Sequence, residues 1–324
     1  MRKLALILLI AACGKSPGTG DDTMTPDADM TGSNTGTAAF EIKSTDILLP
    51  HGVEFTKCFY FHTSNTSTVA INKWISDMTP GSHHLIMFLN TSGAAQPADG
   101  TIDETCGFGN DPQHIPSWTY AAAVPHAEED MPSDDGTGLP LAQNIAPNTA
   151  GFVQMHYLNA SDTDEMVHVD IKAYALPASV TSYTPTAPYI TYTKGFTVPP
   201  GNSTVTGNCP APSGAKFWQV SSHTHKQGVD VKISDASSMI YDNTDWEHPT
   251  VKTWMTSPFY TFSSNMVSWA CSYVNAGSTT IQEGQSAATN EMCMATGYYF
   301  PAPTGAKFEV QVYNGGTSQG CFGL

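Results

Sequence analysis

Short alternating runs of apolar and polar residues dominate the chain after Phe40, and glycine, proline, asparagine and aspartate separate them. The clearest run covers residues 167–174 (VHVDIKAY), in which the first residue of each pair is apolar or small. Strict alternation over this length predicts a β-strand with one buried face. Residues 151–158 (GFVQMHYL) predict a second strand, and residues 216–233 (KFWQVSSHTHKQGVDVKI) predict a hairpin that turns at 226–228.

The strand pattern also predicts the fold class. No segment has a convincing amphipathic helix pattern longer than about two turns. Many short strands with a turn signal about every 8 to 12 residues are typical of β-sandwiches and jelly rolls. A stretch rich in proline and threonine at residues 177–189 indicates a domain boundary. We therefore predict an all-β chain with two tandem sandwich domains, at residues 40–182 and 183–324.

The N-terminus predicts export. Residues 1–13 (MRKLALILLIAAC) have a basic start, an apolar run and then small residues, which is typical of a secretory signal. The apolar run is too short to cross a bilayer, which takes about 20 residues. Its last four residues resemble a bacterial lipobox, so a lipid on Cys13 would anchor the protein to one membrane leaflet. An ordinary signal with an incidental cysteine is the alternative. An aspartate directly after the lipidated cysteine retains lipoproteins in the inner membrane, and here that position is Gly14. This favours anchoring in the outer membrane, with the protein on the periplasmic side or at the cell surface.

Composition limits the partners of the mature chain. Residues 14–39 are rich in glycine, threonine and aspartate and predict a flexible tether. The formal net charge of −16 and the pI of about 4.8 argue against nucleic acid as a partner. The sequence has seven cysteines, and six remain when Cys13 is set aside. An even number fits disulfide bonds in an oxidising compartment. Spacing alone leaves the pairing open.

Four motifs contain candidate metal ligands: His83 and His84 in GSHHLIMF, His156 in FVQMHYLN, His223 and His225 in SSHTHKQG, and Met292 in NEMCMATGYYFP. Residues two apart on a strand share a face, so His223 and His225 can converge on one ion. Adjacent strand residues face opposite sides, so His83 and His84 can do so only at a strand start or a bulge. Each motif alone has a structural explanation, as exposed histidines, a hydrogen-bonded core imidazole or a core methionine.

Taken together, the motifs predict two sets of three ligands, one in each sandwich. His83, His84 and His156 form the first set, and His223, His225 and Met292 form the second. Imidazole suits several transition metals, whereas a thioether is a soft ligand that favours Cu(I). The ligand types therefore predict copper, with the remaining cysteines free for disulfides.

The same motifs, in this order and with these separations, resemble the copper type II, ascorbate-dependent monooxygenases, the family of peptidylglycine α-hydroxylating monooxygenase and dopamine β-monooxygenase. The resemblance runs from about Cys58 to about Pro301. It implies two jelly-roll domains that each hold one copper and face each other across a solvent-filled cleft. It also implies that the first set binds the electron-transfer copper and that the second set is catalytic. Three disulfides are implied as well: Cys58–Cys106, Cys209–Cys321 and Cys271–Cys293.

The resemblance implies hydroxylation of a C–H bond in a small organic substrate, with dioxygen and an external one-electron reductant such as ascorbate. Peptide-amidating members bind a substrate carboxylate through an arginine two residues before the H-x-H pair, where this chain has Ser221. They also use an asparagine and a tyrosine shortly after the methionine ligand, where this chain has Met294 and Thr296. We therefore expect no peptide amidation. Two alternatives remain: an exported lipoprotein that binds or stores copper without oxygenase activity, and an adhesion or carbohydrate-binding module with incidental histidines.

Overall fold

β-Strands form all the regular structure in the part of the chain that the computed structural model describes, which comprises residues 37–90, 93, 95–104, 116–284, 286–287, 289–302, 309–312 and 318–322. The strands of the first half are β1 (Phe40–Lys43), β2 (Ile47–Leu49), β3 (Glu54–His62), β4 (Val69–Met78), β5 (Ser82–Asn90), β6 (Ile102–Asp103), β7 (Ser117–Ala122), β8 (His126–Asp130), β9 (Leu141–Ile145), β10 (Ala150–Leu158), β11 (Glu165–Val167), β12 (Val169–Ala175) and β13 (Thr184–Pro185). Those of the second half are β14 (Ala187–Lys194), β15 (Thr197–Val198), β16 (Gly201–Pro210), β17 (Lys216–Thr224), β18 (Gly228–Asp235), β19 (Ser238–Asn243), β20 (Lys252–Thr253), β21 (Met266–Asn275), β22 (Ile281–Gln282), β23 (Cys293–Phe300), β24 (Glu309–Val312) and β25 (Ser318–Phe322).

Two sheets face each other in the first half. One has the order β1-β12-β4-β9-β13, with β8 also paired to β4, and the other has the order β6-β3-β10-β5-β7. Their inner faces share a core in which Trp74, Ile171, Leu85 and Val153 are fully buried. Each such side chain contributes roughly 1.5–3 kcal/mol relative to exposure, so this core stabilises the sheet that carries the first histidine set.

A second pair of sheets forms the second half, with the orders β20-β17-β23-β14-β25-β24 and β16-β21-β18-β19. Val220 and Tyr299 from the first of these sheets pack with Ile233 and Trp269 from the second. The all-β prediction, with tandem jelly-roll sandwiches, is therefore confirmed. The described residues also form two two-stranded sheets, β11-β2 and β15-β22.

The sheet that contains β17 and β23 also packs against the first half. Trp218 and Tyr298 stack with ring centroids 5.0 Å apart, and both belong to the core cluster of the first half. The Tyr298 hydroxyl donates to the backbone carbonyl of Thr119 at 2.8 Å. The described residues from 37 onward thus belong to one compact unit. β13 lies after the predicted domain boundary at 182/183, yet it pairs with β9, which lies before that boundary. The boundary therefore stays a prediction.

The strand predictions differ in outcome. β10 confirms the strand at residues 151–158, and residues 167–174 show the expected alternation of burial. The latter run is divided at His168, between β11 and β12, where the His168 N–H donates to Thr79 Oγ1 at 3.0 Å.

The predicted hairpin at residues 216–233 is wrong. β17 pairs with β20 and β23, whereas β18 pairs with β19 and β21. The chain therefore passes from one sheet to the other at the turn closed by the hydrogen bond from Gly228 N–H to the His225 carbonyl (2.9 Å). Alternation defined both strands correctly but could not reveal which strands they pair with.

Two of the three expected disulfides connect the sheets of the second half. Cys209 pairs with Cys321, and Cys271 pairs with Cys293, each with a Cα–Cα distance of 5.8 Å. The second bridge lies next to Met292 in sequence, which restrains the backbone there. The Cys58–Cys106 prediction involves Cys106, which lies outside the described residues, as do residues 1–36 with the signal, Cys13 and most of the tether. Nowhere in the described residues is there a helix of the length and apolarity needed to span a membrane.

Candidate metal centre

The first histidine set forms at a β-bulge between β5 and β10. His156 lies opposite His84 in the ladder, but Tyr157 lies opposite Ser82, so His83 is the extra residue of the bulge. This irregularity turns adjacent histidines toward one point, as the sequence required. The potential ligand atoms of His83, His84 and His156 all lie within 4.8 Å of one another.

Two glutamates orient the imidazoles of this set. His83 Nε2 lies 2.7 Å from Glu247 Oε1, and His156 Nε2 lies 2.7 Å from Glu54 Oε1. An ionised carboxylate can only accept, so each Nε2 carries the proton and each Nδ1 has a free lone pair. Carboxylates placed in this way fix the tautomer and orientation of metal-binding histidines in many proteins.

The two Nδ1 atoms are the strongest sign of a metal site. His83 Nδ1 and His156 Nδ1 are both buried, and neither has a hydrogen-bond partner within the described part of the chain. A buried polar atom without a partner costs about 1–3 kcal/mol, so such atoms call for an explanation. Both belong to one set of converging imidazoles, and a bound metal ion would satisfy them. The donor set therefore fits a transition metal such as copper.

The second set lies at the end of β17. His223 is on the strand and His225 follows it, with ring centroids 5.2 Å apart. His225 Nδ1 lies 2.9 Å from the Asn290 carbonyl, which can only accept, so Nδ1 carries the proton and Nε2 keeps its lone pair. His225 is thus held in the tautomer that leaves Nε2 available to a metal.

Glu291 connects this turn to the strand that follows Met292. Its Oε2 accepts the His225 N–H at 3.0 Å and its Oε1 accepts the Gln227 N–H at 2.8 Å. The side chain is fully buried, and burial raises the pKa of Glu291 to about 7 although backbone N–H groups oppose this shift. Glu291 therefore fixes the turn that presents His225.

Met292 is half-buried and directly precedes β23. Its carbonyl accepts the Tyr273 hydroxyl at 2.6 Å, and the next residue, Cys293, pairs with Thr224 across the ladder. The backbone of Met292 thus lies beside the H-x-H turn, and the role of Met292 as a ligand stays a prediction.

The structure adds Met294, a buried residue directly opposite His223 on the same face of the sheet. The M-C-M alternation in the sequence was the available signal.

The two sets meet. The rings of His84 and His223 lie edge to face at 83°, with centroids 5.5 Å apart, and Trp118 lies 6.4 Å from His223. The solvent-filled cleft implied by the family resemblance is therefore replaced by ring contact at this point. Five histidines form one connected group across the two halves.

Burial favours the neutral form of four of these imidazoles, those of His84, His156, His223 and His225. It lowers the pKa of His223 to about 3 and that of His225 to about 4, and it lowers the pKa of His84 and His156 as well. The neighbouring imidazoles of the group also oppose the charged form of His84 and His223. Neutral imidazole is the form that binds metal, so these four histidines are in their ligand state at neutral pH.

Sequence reasoning missed the groups around the sets, namely Glu54, Glu247, Trp246, Trp118 and Glu291. Their contacts cross long sequence separations, so local patterns gave no signal except for a charged residue, Glu291, directly before Met292. Five further described histidines each contact an aspartate, through the backbone N–H in His51 and through the imidazole in the others. The pairs are His51 with Asp164, His62 with Asp99, His126 with Asp77, His168 with Asp46 and His248 with Asp245.

Comparison with known proteins adds little to this geometry. No family model matches the chain, and no curated protein matches it. A solved structure that is similar is the major capsid protein P2 from bacteriophage PM2, with 7% sequence identity and a TM-score of 0.31. That match covers 80% of this chain and 96% of the capsid chain. A likeness of this size says nothing about function.

Proposed function

We propose that this protein is a copper-dependent monooxygenase that hydroxylates a C–H bond of a small organic substrate, using dioxygen and an external one-electron reductant. The observation that carries the proposal is the pair of buried, unpartnered Nδ1 atoms of His83 and His156, each on a ring held at Nε2 by a glutamate. Copper bound to the two sets would supply one-electron redox chemistry and the activation of dioxygen. His83, His84 and His156 would hold one ion, and His223, His225 and Met292 would hold the other.

The residues around the second set support copper over zinc. Met292 lies beside the H-x-H turn in the backbone, and Met294 faces the same side as His223. Thioethers are soft ligands that stabilise Cu(I) and are poor ligands for zinc. The cysteines nearby, Cys271 and Cys293, are joined in a disulfide and do not compete as thiolates.

Contact between the sets supports the exchange of single electrons. His84 belongs to the first set and His223 to the second, and their rings touch with no residue between them. Two one-electron centres in contact suit a reaction that consumes two electrons, because each centre supplies one. The role of the chain is to hold the imidazoles neutral, oriented and screened from bulk water.

Residues beside the second set argue against a carboxylate-bearing peptide as substrate. Ser221 takes the place of the family's arginine, and its hydroxyl donates to the Thr250 carbonyl at 2.9 Å. The only arginine in the sequence is Arg2. Glu54 and Glu247 add negative charge next to the first set. We therefore propose that the substrate is an uncharged or cationic small molecule. We also propose that a lipid on Cys13 anchors the protein in the periplasm or at the cell surface.

Reductant-driven oxygen consumption tests the proposal. The mature chain is loaded with copper, reduced with ascorbate and supplied with a panel of small apolar, aromatic and amine compounds, with glycine-terminated peptides as the negative control. We expect two coppers per chain, substrate-dependent oxygen uptake and an alcohol that contains one atom of labelled dioxygen. His156→Gln and His225→Gln should each abolish uptake.

Two other outcomes would contradict the enzyme proposal. Two coppers per chain without turnover on any compound would favour a copper-binding or copper-storage lipoprotein. Fewer than one copper per chain after reconstitution would leave only an exported β-sandwich module with incidental histidines.

A further inference from the structure

A loop from the second half covers the first histidine set. It comprises residues 244–250, between β19 and β20, and is called the 244–250 loop. Internal hydrogen bonds define its shape: Asn243 Oδ1 accepts the Thr250 N–H at 3.0 Å, and Asp245 Oδ1 accepts the N–H groups of Glu247 and His248 at 3.0 Å each. The loop therefore has a built conformation that presents Glu247.

The base of this loop is attached to the strand that carries the second set. The Ser221 hydroxyl and the Tyr241 hydroxyl both donate to the Thr250 carbonyl, at 2.9 Å and 2.8 Å. Tyr241 also lies within hydrogen-bond distance of Ser222, at 3.1 Å. Ser221 and Ser222 directly precede His223 on β17, so the loop base and the second set share one rigid element.

The tip of the loop contacts His83. Glu247 Oε1 lies 2.7 Å from His83 Nε2, and the Trp246 ring stacks on the His83 ring with centroids 5.6 Å apart at 21°. The His248 ring lies nearly parallel to the same imidazole at 6.4 Å. The His83 side chain is 10% exposed and that of Glu247 is 43% exposed, so the loop shields the imidazole while Glu247 remains at the surface.

We propose that Glu247 is a positioning residue of the first metal site, and that metal binding at His83 and ordering of the 244–250 loop stabilise each other. The proposal rests on the proposed function only in that the first set binds a metal ion. A metal at Nδ1 draws electron density from the ring and makes Nε2–H a stronger donor to the Glu247 carboxylate. Coupling of this kind is reciprocal, so an ordered loop must raise the affinity of the site by the same factor.

Glu54 provides a matched control. It makes the same 2.7 Å contact to His156 Nε2, but it lies on β3, in the same sheet as His156. Glu54→Gln should weaken metal binding without affecting the loop, whereas Glu247→Gln should affect both. Trp246→Phe keeps an aromatic ring beside His83 and should preserve the coupling.

Hydrogen exchange and copper(II) titration of the full mature chain test this. In the wild type and in Glu54→Gln, we expect copper(II) to slow exchange of the amides of residues 246–248 by roughly fivefold or more. In Glu247→Gln this slowing should be lost. In both variants, the copper affinity of the first set should fall roughly 10- to 100-fold. Repeating the titration in a His225→Gln background removes binding at the second set and so assigns this loss to the first set.

The outcomes separate this proposal from the proposed function. If Glu247→Gln retains wild-type affinity and copper still slows exchange of the loop, the coupling is disproved even when oxygenase activity is present. If the coupling is observed and no compound is hydroxylated, the positioning role of Glu247 stands and the enzyme proposal fails. A wild-type chain whose loop exchange is unchanged by saturating copper(II) also overturns the coupling.

Discussion

His84 and His223 touch edge to face, with ring centroids 5.5 Å apart, although they belong to different halves of the chain and to different predicted ligand sets. His84 also lies 5.0 Å from His156, so one imidazole contacts both sets. Because His84 lies between them, the two sets are parts of one group and should not respond independently to substitution.

Replacing His84 should therefore affect both sets. We expect His84→Ala to abolish tight copper binding at the first set and to weaken the second by roughly two- to tenfold, because an aromatic contact of this type contributes about 0.5–1.5 kcal/mol. Competition titrations with a chelator measure both affinities. His83→Ala is the control and should weaken the first set alone. An unchanged second-set affinity in His84→Ala would show that the ring contact is not energetically significant.

The thioether assignment can be tested by X-ray absorption on the reduced, copper-loaded protein. We expect a copper–sulfur shell that disappears in Met292→Ile and persists in Met294→Ile, since Met292 is the residue that matches the family motif. The opposite result would assign the ligand to Met294, which lies directly opposite His223. A shell that persists in both variants would contradict the assignment to Met292, and its absence from the wild type would contradict a thioether-bound copper.

Glu291 should be required for the geometry of the second set. In Glu291→Gln, the amide nitrogen cannot accept a hydrogen bond, so the N–H of either His225 or Gln227 loses its acceptor. We expect the free energy of unfolding to fall by about 1–3 kcal/mol and second-set copper affinity to fall roughly 10- to 100-fold. Urea unfolding and copper titration measure these effects, and the first-set affinity is the internal control. Unchanged second-set binding would disprove the positioning role.

The metal-free protein should lose stability as pH falls from about 6.5 to about 4. Burial lowers the pKa of His223 to about 3 and of His225 to about 4, so below pH 6.5 the unfolded chain takes up protons that the folded chain does not. Each such histidine adds a slope of up to about 1.4 kcal/mol per pH unit. Urea unfolding with a chelator present measures this slope, and His223→Gln should reduce it by about one proton.

The control for this pH series is His126→Gln. His126 lies on the surface beside Asp77, which raises the pKa of His126, so its contribution has the opposite sign. In His126→Gln, the free energy of unfolding should therefore still fall as the pH is lowered. A slope that is the same in His223→Gln and in the wild type would show that His223 is protonated in the folded state.

Glu129 should make the fold less stable at alkaline pH. Its carboxyl atom Oε1 is buried with no hydrogen-bond partner among the described residues. Burial raises the pKa of Glu129 from 4.5 to about 8, although a hydrogen bond with Gln219 opposes this shift. Between these values the unfolded chain is ionised while the folded chain keeps the proton, so stability falls as pH rises. Glu129→Gln should therefore be more stable than the wild type at pH 8, by up to about 4 kcal/mol, and about equal at pH 4.5. A difference that does not vary with pH, measured by urea unfolding, would contradict this.

Local pattern was sufficient for the fold class, the strands it placed at residues 151–158, 167–174 and 216–233, and the ligand candidates. The alternation at residues 167–174 and 151–158 reports which side chains are buried, because side-chain direction in a strand repeats every two residues. The same periodicity places His223 and His225 on one face, and the adjacent His83 and His84 required the bulge that is found between β5 and β10. The two described disulfides agree with the pairing that the family motifs implied.

Tertiary structure decided everything that depends on which strands become neighbours. The expected hairpin at residues 216–233 does not form, because β17 and β18 find their partners in different sheets. The carboxylates of Glu54 and Glu247, and the contact of His84 with His223, arise from pairing and packing between distant segments. A sequence determines periodicity through local backbone geometry, but long-range contacts depend on how buried faces of the whole chain match. The sequence by itself therefore determined the strand pattern and the candidate histidine ligands. Only the tertiary structure brought the two ligand sets together.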